Sequence, residues 1–203
     1  MTGRRSYPKG TAKREELLAT ALEVIAERGY NKATLRDLAD AANLSITGLV
    51  HHFGTREGLL TAVLQRRDEA DTREYYAKPP ETADAMIDNL ERLVSHNAAV
   101  PGLVRLYTNL AADAAEPEHP AHEYFEDRYQ QSLRIGREML AGLQDRGELR
   151  QDVDVDDLAV LLMAAVDGLQ LLWQYNPEID MARCLSVLGP LLAGAEPAAQ
   201  PDV

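Results

Sequence analysis

Residues 34–53 read TLRDLADAANLSITGLVHHF and decide how the chain folds. Apolar residues at helical spacing predict a short helix over 35–41. Asn43 tolerates the left-handed backbone of a tight turn, and Ser45 can cap a second helix by accepting a hydrogen bond from a free amide. Two short helices joined in this way are typical of a helix-turn-helix, whose second helix enters the major groove of DNA.

The flanking segments extend this motif to a three-helix arrangement. Apolar spacing predicts a preceding helix over 12–28 that ends at Gly29, a residue suited to a left-handed cap. Thr34 and Asp37 have the spacing of a capping box. Thr55 is a candidate N-cap for a following helix that begins at Arg56.

These motifs resemble the tetracycline-repressor (TetR) family of bacterial regulators. The resemblance rests on ATLRDLA at 33–39, NLS at 43–45, GLVHHF at 48–53, TREGLL at 55–60 and DGLQLLW at 167–173. It implies an all-α fold with a helix-turn-helix DNA-binding domain and basic arm over 1–54 and a helical ligand-binding and dimerisation domain over 55–193. The composition of residues 194–203, GAEPAAQPDV, predicts a flexible tail. The family usually has Tyr where this chain has Val50, which cannot donate a hydrogen bond to phosphate.

The net charge of −12 is divided unevenly along the chain. Residues 1–67 hold 11 Lys/Arg and 7 Asp/Glu, whereas residues 68–203 hold 10 and 26. Phosphate attraction acts over roughly 8 Å at physiological salt, so distant acidic residues need not cancel it. The asymmetry predicts an N-terminus that faces nucleic acid, although a basic arm is also compatible with a solvated tail.

Base contacts are expected from the start of the second helix. Thr47 can hydrogen-bond a base, Ile46 can pack on a thymine methyl, and Gly48 lets the backbone approach closely. Helix starts also bind phosphate through side chains and free amides, the alternative being a simple cap or a solvated charge. The candidate DNA-binding residues are Arg4, Arg5, Lys9, Thr34, Arg36, Ser45, Ile46, Thr47, Gly48, His51, His52 and Arg56.

Prolines delimit further helices near 82–98, 102–114, 120–146, 155–174 and 178–193, and no segment alternates like a strand. The longest apolar run, 158–166, is shorter than the roughly 18 residues that span a membrane. The single cysteine, Cys184, excludes an intrachain disulfide. We therefore expect a cytoplasmic protein with no membrane partner.

The last helices are candidates for a dimer interface. The run 158–166 is apolar nearly all round, so a helix there must be covered on more than one side. A second copy could cover one side, unless both helices bury fully within one subunit. The predicted interface residues are Leu158, Leu162, Leu169, Leu185, Leu188 and Leu192.

Asp167 and Gln170 interrupt an otherwise apolar helix, where a buried polar group needs a partner. That partner could be a small-molecule effector or a neighbouring side chain. The candidate effector pocket consists of Tyr107, Asn109, Tyr129, Asp167, Gln170 and Trp173.

The sequence therefore predicts a transcriptional repressor that binds an inverted-repeat DNA operator as a homodimer and is released by a small molecule. It carries no P-loop, nucleophile elbow or dinucleotide fingerprint, so we expect no enzyme and no cofactor. Two alternatives remain open. One is an all-α enzyme or metal-binding protein that uses His119, His122 and Glu123. The other is a ligand-free DNA-binding protein controlled by a protein partner.

Overall fold

The computed structural model describes residues 8–29, 32–75 and 77–194, and for residues 8–11 the backbone alone. These residues form helices and loops, and an isolated bridge joins Leu149 to Ala193. The helices are α1 (Pro8–Arg28), α2 (Leu35–Ala41), α3 (Ile46–Phe53), α4 (Arg56–Tyr75), α5 (Ala83–Ala98), α6 (Pro101–Asp113), α7 (His122–Asp145), α8 (Val155–Tyr175), α9 (Met181–Ser186) and α10 (Leu188–Leu192). The all-α prediction is confirmed.

Local signals place α2 and α3 where the sequence predicts them. Gly29 has a φ of +80° just beyond the end of α1, and Asn43 has a φ of +53° in the turn that separates α2 from α3. Both are left-handed conformations that Gly and Asn adopt at little strain. The turn therefore ends α2 and sets the direction of α3.

The chain divides into two compact units. The first unit comprises residues 1–70 and 100–124, and so includes α6 together with α1, α2 and α3. A Cβ atom at Gly102 would lie only 2.3 Å from the Ile25 carbonyl oxygen, so α6 can approach α1 this closely only with glycine there. This contact joins segments far apart in sequence, which explains why residues 100–124 belong to the first unit. The predicted domain boundary at residue 54 stays a prediction.

The second unit comprises residues 71–99 and 125–203. The structure describes all of these residues except 76 and 195–203. One core cluster contains Met86, Ile87, Leu140, Leu143, Leu149, Ala159 and Leu192. A second cluster contains Val94, Met181 and Leu185. Burial of these side chains holds α5, α7, α8, α9 and α10 together.

The helix predicted over 178–193 is two helices, α9 and α10, separated at Val187. Pro190 explains the break, because it has no N–H to donate to the Ser186 carbonyl four residues earlier. Beyond α10, the Gly194 N–H donates to the Glu148 carbonyl at 3.0 Å. The rest of the predicted tail, 195–203, lies outside the described residues. No helix in the described part of the chain is long and apolar enough to cross a membrane.

Candidate nucleic-acid interface

The start of α2 is fixed by a reciprocal cap, as the sequence predicts. The Thr34 hydroxyl accepts the Asp37 N–H at 3.2 Å, and the Asp37 carboxylate accepts the Thr34 N–H at 3.0 Å and its hydroxyl at 2.6 Å. These hydrogen bonds, with the Arg28 guanidinium nearby, hold the pKa of Asp37 below its ordinary value. Both donors of Thr34 are thus engaged within the chain, so the structure places Thr34 as a cap.

Arg36 lies in the first turn of α2 and is exposed. It takes part in none of the ion pairs found among the described residues, unlike Arg28, which pairs with Asp37. The first amides of a helix have no partner within it and carry partial positive charge. Arg36 and this helix start together offer donors of the kind that bind phosphate.

The start of α3 carries the predicted base-reading residues. Ser45 caps the helix, with its hydroxyl accepting the Gly48 N–H at 3.0 Å. Ile46 and Thr47 are exposed and Gly48 is half-buried, whereas Leu49 is 2% exposed and belongs to the core. The helix is therefore anchored through Leu49 and presents its first turn to solvent.

His51 and His52 are exposed at the other end of α3, and their ring centroids lie 6.0 Å apart. The next residue, Phe53, lies beneath the guanidinium of Arg14, whose Cζ is 5.4 Å from the ring centroid. This cation–π contact joins α1 to the end of α3. Arg14 is not among the residues predicted to bind DNA, and the sequence pattern gives no sign of its aromatic partner.

The corner between α3 and α4 is tight. The Thr55 hydroxyl accepts the Gly58 N–H at 3.0 Å, and a Cβ atom at Gly58 would lie 2.3 Å from the Phe53 carbonyl oxygen. Arg56 is half-buried in the first turn of α4. The fold thus brings the starts of α2, α3 and α4 and the residues around them into one unit.

The structure describes only part of the predicted basic arm. Arg4 and Arg5 lie outside the described residues, and Lys9 is described by its backbone alone, in the first turn of α1. Their roles in DNA binding remain predictions.

Four of the predicted effector-pocket residues lie in the second unit and two in the first. The Tyr129 hydroxyl donates to the Asp167 carboxylate at 3.0 Å. Gln170 is buried and accepts a hydrogen bond from the Asn97 amide at 3.2 Å. Trp173 is half-buried against the cluster around Val94. Asn97 is a polar core residue that the sequence pattern did not single out, because its partner lies 73 positions away.

The two remaining candidates, both on α6, are Tyr107, which is buried, and Asn109, which is exposed and donates its amide to the Arg105 carbonyl at 2.7 Å. The second unit also has an open cleft of about 460 Å³. Its lining contains none of the six predicted pocket residues and consists of Tyr75, Asp88, Glu91, Arg92, Ser95 and Ala182.

The six leucines predicted for a dimer interface all pack against the core of their own subunit. Leu185 and Leu192 are 1% and 6% exposed, so they have almost no surface to offer a partner. The others are half-buried against the same clusters: Leu158, Leu162, Leu169 and Leu188. Helical spacing identified two apolar faces but could not tell which of them points inward.

The histidines of the alternative metal site serve the loop before α7. The ring of His119 accepts the Ala121 N–H at 3.1 Å, and the ring of His122 lies 2.8 Å from the Ala114 carbonyl oxygen. Among the described residues, no group of three His, Cys, Asp or Glu side chains could hold a metal ion. These contacts assign a structural role to both histidines.

Two family models match separate stretches of the chain. Residues 17–63 match the family model for bacterial regulatory proteins of the tetR family, and residues 88–195 match the model for the C-terminal part of BetI-type transcriptional repressors. The transcriptional repressor KstR2 of Mycobacterium tuberculosis is 31% identical over 155 residues, covering 71% of this chain and 73% of KstR2. The repressor AcnR of Corynebacterium glutamicum is 29% identical over 162 residues, covering 79% and 81%.

Solved structures show the same fold. A TetR-family regulator from Pectobacterium atrosepticum superposes with a TM-score of 0.74 at 23% identity, covering 95% of this chain and all of that one. FadR of Bacillus subtilis in complex with stearoyl-CoA gives 0.68 at 16% identity, covering 90% and 99%. A regulator from Saccharomonospora viridis in complex with choline gives 0.70 at 23% identity, covering 90% and 98%. The chain belongs to the TetR family and is a DNA-binding transcriptional regulator, not an enzyme.

Proposed function

We propose that the chain is a repressor that binds an inverted-repeat operator as a homodimer and releases it when a small molecule binds to the second unit. The observation that carries the proposal is the start of α3, where Ile46 and Thr47 face solvent on a helix fixed by the Ser45 cap. Helix-turn-helix proteins reach base edges from this position. Because such an operator would lie on DNA in the cytoplasm, the protein would act in that compartment.

An exposed apolar stripe on α8 supports the homodimer. Leu161, Leu172 and Tyr175 are 66%, 56% and 84% exposed, and Val160 and Leu171 widen the stripe. In α10 Leu191 is also exposed, as is Val187 just before it. Apolar surface of this extent typically marks a protein-binding site. A second copy related by a two-fold axis would cover each stripe with the same stripe of its partner.

A two-fold dimer would present two copies of α3, so the operator should be an inverted repeat. The spacing between the two half-sites would then match the distance between the two α3 helices of the dimer. Arg36 and the basic N-terminal residues would add phosphate contacts, which strengthen binding to any duplex without selecting a sequence.

Two polar pairs inside the second unit support an effector site between α5, α7 and α8. Asp167 and Gln170 lie about one turn apart on α8, where Tyr129 and Asn97 bind them. A ligand with matching polar groups could exchange these hydrogen bonds for its own at small net cost. The complexes with choline and with stearoyl-CoA indicate that proteins of this fold take up ligands of very different chemistry, so the proposal does not transfer either ligand.

Control by a protein partner is the second candidate. It is favoured by the same two pairs, because Asp167 and Gln170 already have partners within the chain and need no ligand to satisfy them. The two candidates differ in what a small molecule should do to DNA binding.

The test is a paired titration with small metabolites, including choline and acyl-CoA thioesters. A ligand that releases DNA must bind the DNA-free protein more tightly than the DNA-bound one. The effector should therefore raise the melting temperature of the free protein and weaken operator binding over the same concentration range. Asp167→Asn should weaken both responses, whereas Asp157→Asn, the same change at an exposed position of α8, should leave them intact. Control by a protein partner is favoured if the chain binds its operator specifically and no compound both raises the melting temperature and weakens operator binding.

A further inference from the structure

The proposed recognition helix α3 has an unusual side-chain composition. Residues 46–53 read ITGLVHHF and include no Arg, Lys, Asn or Gln. Arg and Lys are the side chains that pair with the two major-groove acceptors of guanine, and Asn and Gln pair in the same way with adenine. The side chains of α3 therefore lack the common means of reading a purine.

What α3 offers instead is an exposed pair of apolar side chains. Ile46 is 40% exposed and Val50 is 38% exposed, and a spacing of four residues puts them on one face of the helix. Leu49 between them points into the core. The exposed pair is therefore not needed to hold α3 in place.

Both residues are β-branched, so each has a restricted χ1 angle. Their methyl groups are consequently held in nearly fixed positions before any partner arrives, which reduces the entropy lost on binding. In the major groove the apolar group available to such side chains is the C5-methyl of thymine, and no other standard base carries one.

We propose that α3 selects its half-site through thymine methyl groups, one packed against Ile46 and one against Val50. This inference rests on the proposed operator binding and adds the chemistry by which the operator is recognised. Four residues span about 6 Å along a helix, and successive base pairs are about 3.4 Å apart. The two thymines should therefore lie within about two base-pair steps of each other, on the same or on opposite strands.

The test uses the full-length chain and an operator obtained by selection from random duplexes. Each thymine of the operator is replaced in turn by deoxyuridine, which removes the methyl group and leaves the base pairing unchanged. A buried methyl contributes about 0.8 kcal/mol, so affinity should fall about fourfold for each contacted methyl. Two positions in each half-site should respond, and the remaining thymines should not.

Variants assign the two methyl groups to their side chains. Ile46→Ala should weaken binding to the normal operator and abolish the deoxyuridine effect at one position, while Val50→Ala should do so at the other. Ile46→Val, which keeps a branched side chain, should retain part of the effect. Alanine favours helix formation, and circular dichroism of each variant verifies that α3 remains folded.

The outcomes separate this inference from the proposed function. Specific operator binding with no deoxyuridine response beyond twofold would overturn the inference and leave operator binding intact. A deoxyuridine effect that persists unchanged in both alanine variants would also overturn it, because neither Ile46 nor Val50 would then contact the methyl groups. A selection that enriches no sequence would overturn both.

Discussion

The two compact units expose apolar side chains in different amounts and in different surroundings. In the first unit, the exposed pair on α3 is small and lies beside Thr47 and two histidines, in a part of the chain where cations outnumber acids. In the second unit, the stripe on α8 is longer and reaches 66% exposure at Leu161, and residues 71–99 and 125–203 hold 20 acidic against 9 basic side chains. Exposure alone therefore does not identify a partner. Patch size and neighbouring charge distinguish a surface that suits base edges from one that suits a second protein chain.

The largest effect is expected from placing a charge on the α8 stripe. Leu161→Glu would put a carboxylate into an apolar interface, and loss of a buried interface anchor costs about 2 kcal/mol or more. Light scattering should show monomers at concentrations where the parent chain is dimeric, and operator affinity should fall at least roughly 30-fold. Gln131→Glu adds the same charge at an exposed position of α7 and should change neither quantity. A fully dimeric Leu161→Glu variant would remove the distinction drawn between the two apolar surfaces.

The next prediction concerns the packing that makes α6 part of the first unit. Gly102→Ala would place a Cβ atom 2.3 Å from the Ile25 carbonyl oxygen and 2.9 Å from the Ala26 Cα. Such overpacking should destabilise the protein by about 1–3 kcal/mol, measured by urea unfolding. At Gly136 on α7 the added Cβ would meet the Ala159 Cβ at an ordinary 3.6 Å. Gly136→Ala should therefore stabilise by up to about 1 kcal/mol, and equal behaviour of the two variants would contradict the close α1–α6 contact.

In the second unit, the buried pair Asn97–Gln170 allows a test of polar partners within an apolar core. Gln170→Leu removes the acceptor of the Asn97 amide and should destabilise the protein by about 1–2 kcal/mol. Replacing both residues with leucine removes the Asn97 amide as well, and stability should return toward that of the parent chain. Chemical unfolding of Gln170→Leu, Asn97→Leu and the double variant gives the coupling free energy between the two amides. A double variant as unstable as the sum of the single variants would show that the two amides do not depend on each other.

The smallest effect belongs to the exposed cap at the start of α2. The pKa of Asp37 in the folded chain lies below its ordinary 3.8, chiefly because Thr34 donates hydrogen bonds to it. A lowered folded-state pKa means that the charged cap stabilises the fold at neutral pH, and that this contribution is lost as pH falls from about 3.8 through the lower folded value. Asp37→Asn should therefore lower the melting temperature at pH 7, and the difference from the parent chain should shrink on acidification. Asp40→Asn, an exposed change on the same helix that leaves the Thr34 cap in place, should keep the melting temperature of the parent chain at pH 7.

The sequence was most informative where structure is determined by neighbouring residues. The cap at Thr34, the left-handed turn at Asn43 and the cap at Ser45 are each set by contacts within about four positions, and the structure confirms all three. The break before α10 was missed although Pro190 signals it, because the leucine spacing on both sides continues without interruption.

Contacts between residues far apart in the chain could not be predicted from the sequence pattern. Two of the leucines predicted for the dimer interface, Leu185 and Leu192, are buried in the subunit's own core, and the other four are half-buried against it. A helix that is apolar nearly all round has no face marked as inward, and the predicted interface stays a prediction. The close approach of α6 to α1 depends on Gly102, which in the sequence is only the second residue of a helix. Asp167 and Gln170 were recognised as groups needing partners, but those partners come from α7 and α5 and no local spacing reveals them.

In the proposed dimer, two copies of α3 read DNA together, and the α8 stripes hold the two chains to each other. Selection from random duplexes with the full-length chain, followed by sequencing of the bound DNA, tests this most directly. We expect enrichment of an inverted repeat whose half-sites lie about one helical turn, or a multiple of it, apart. Enrichment of a single unrepeated site, or of no sequence at all, would contradict it.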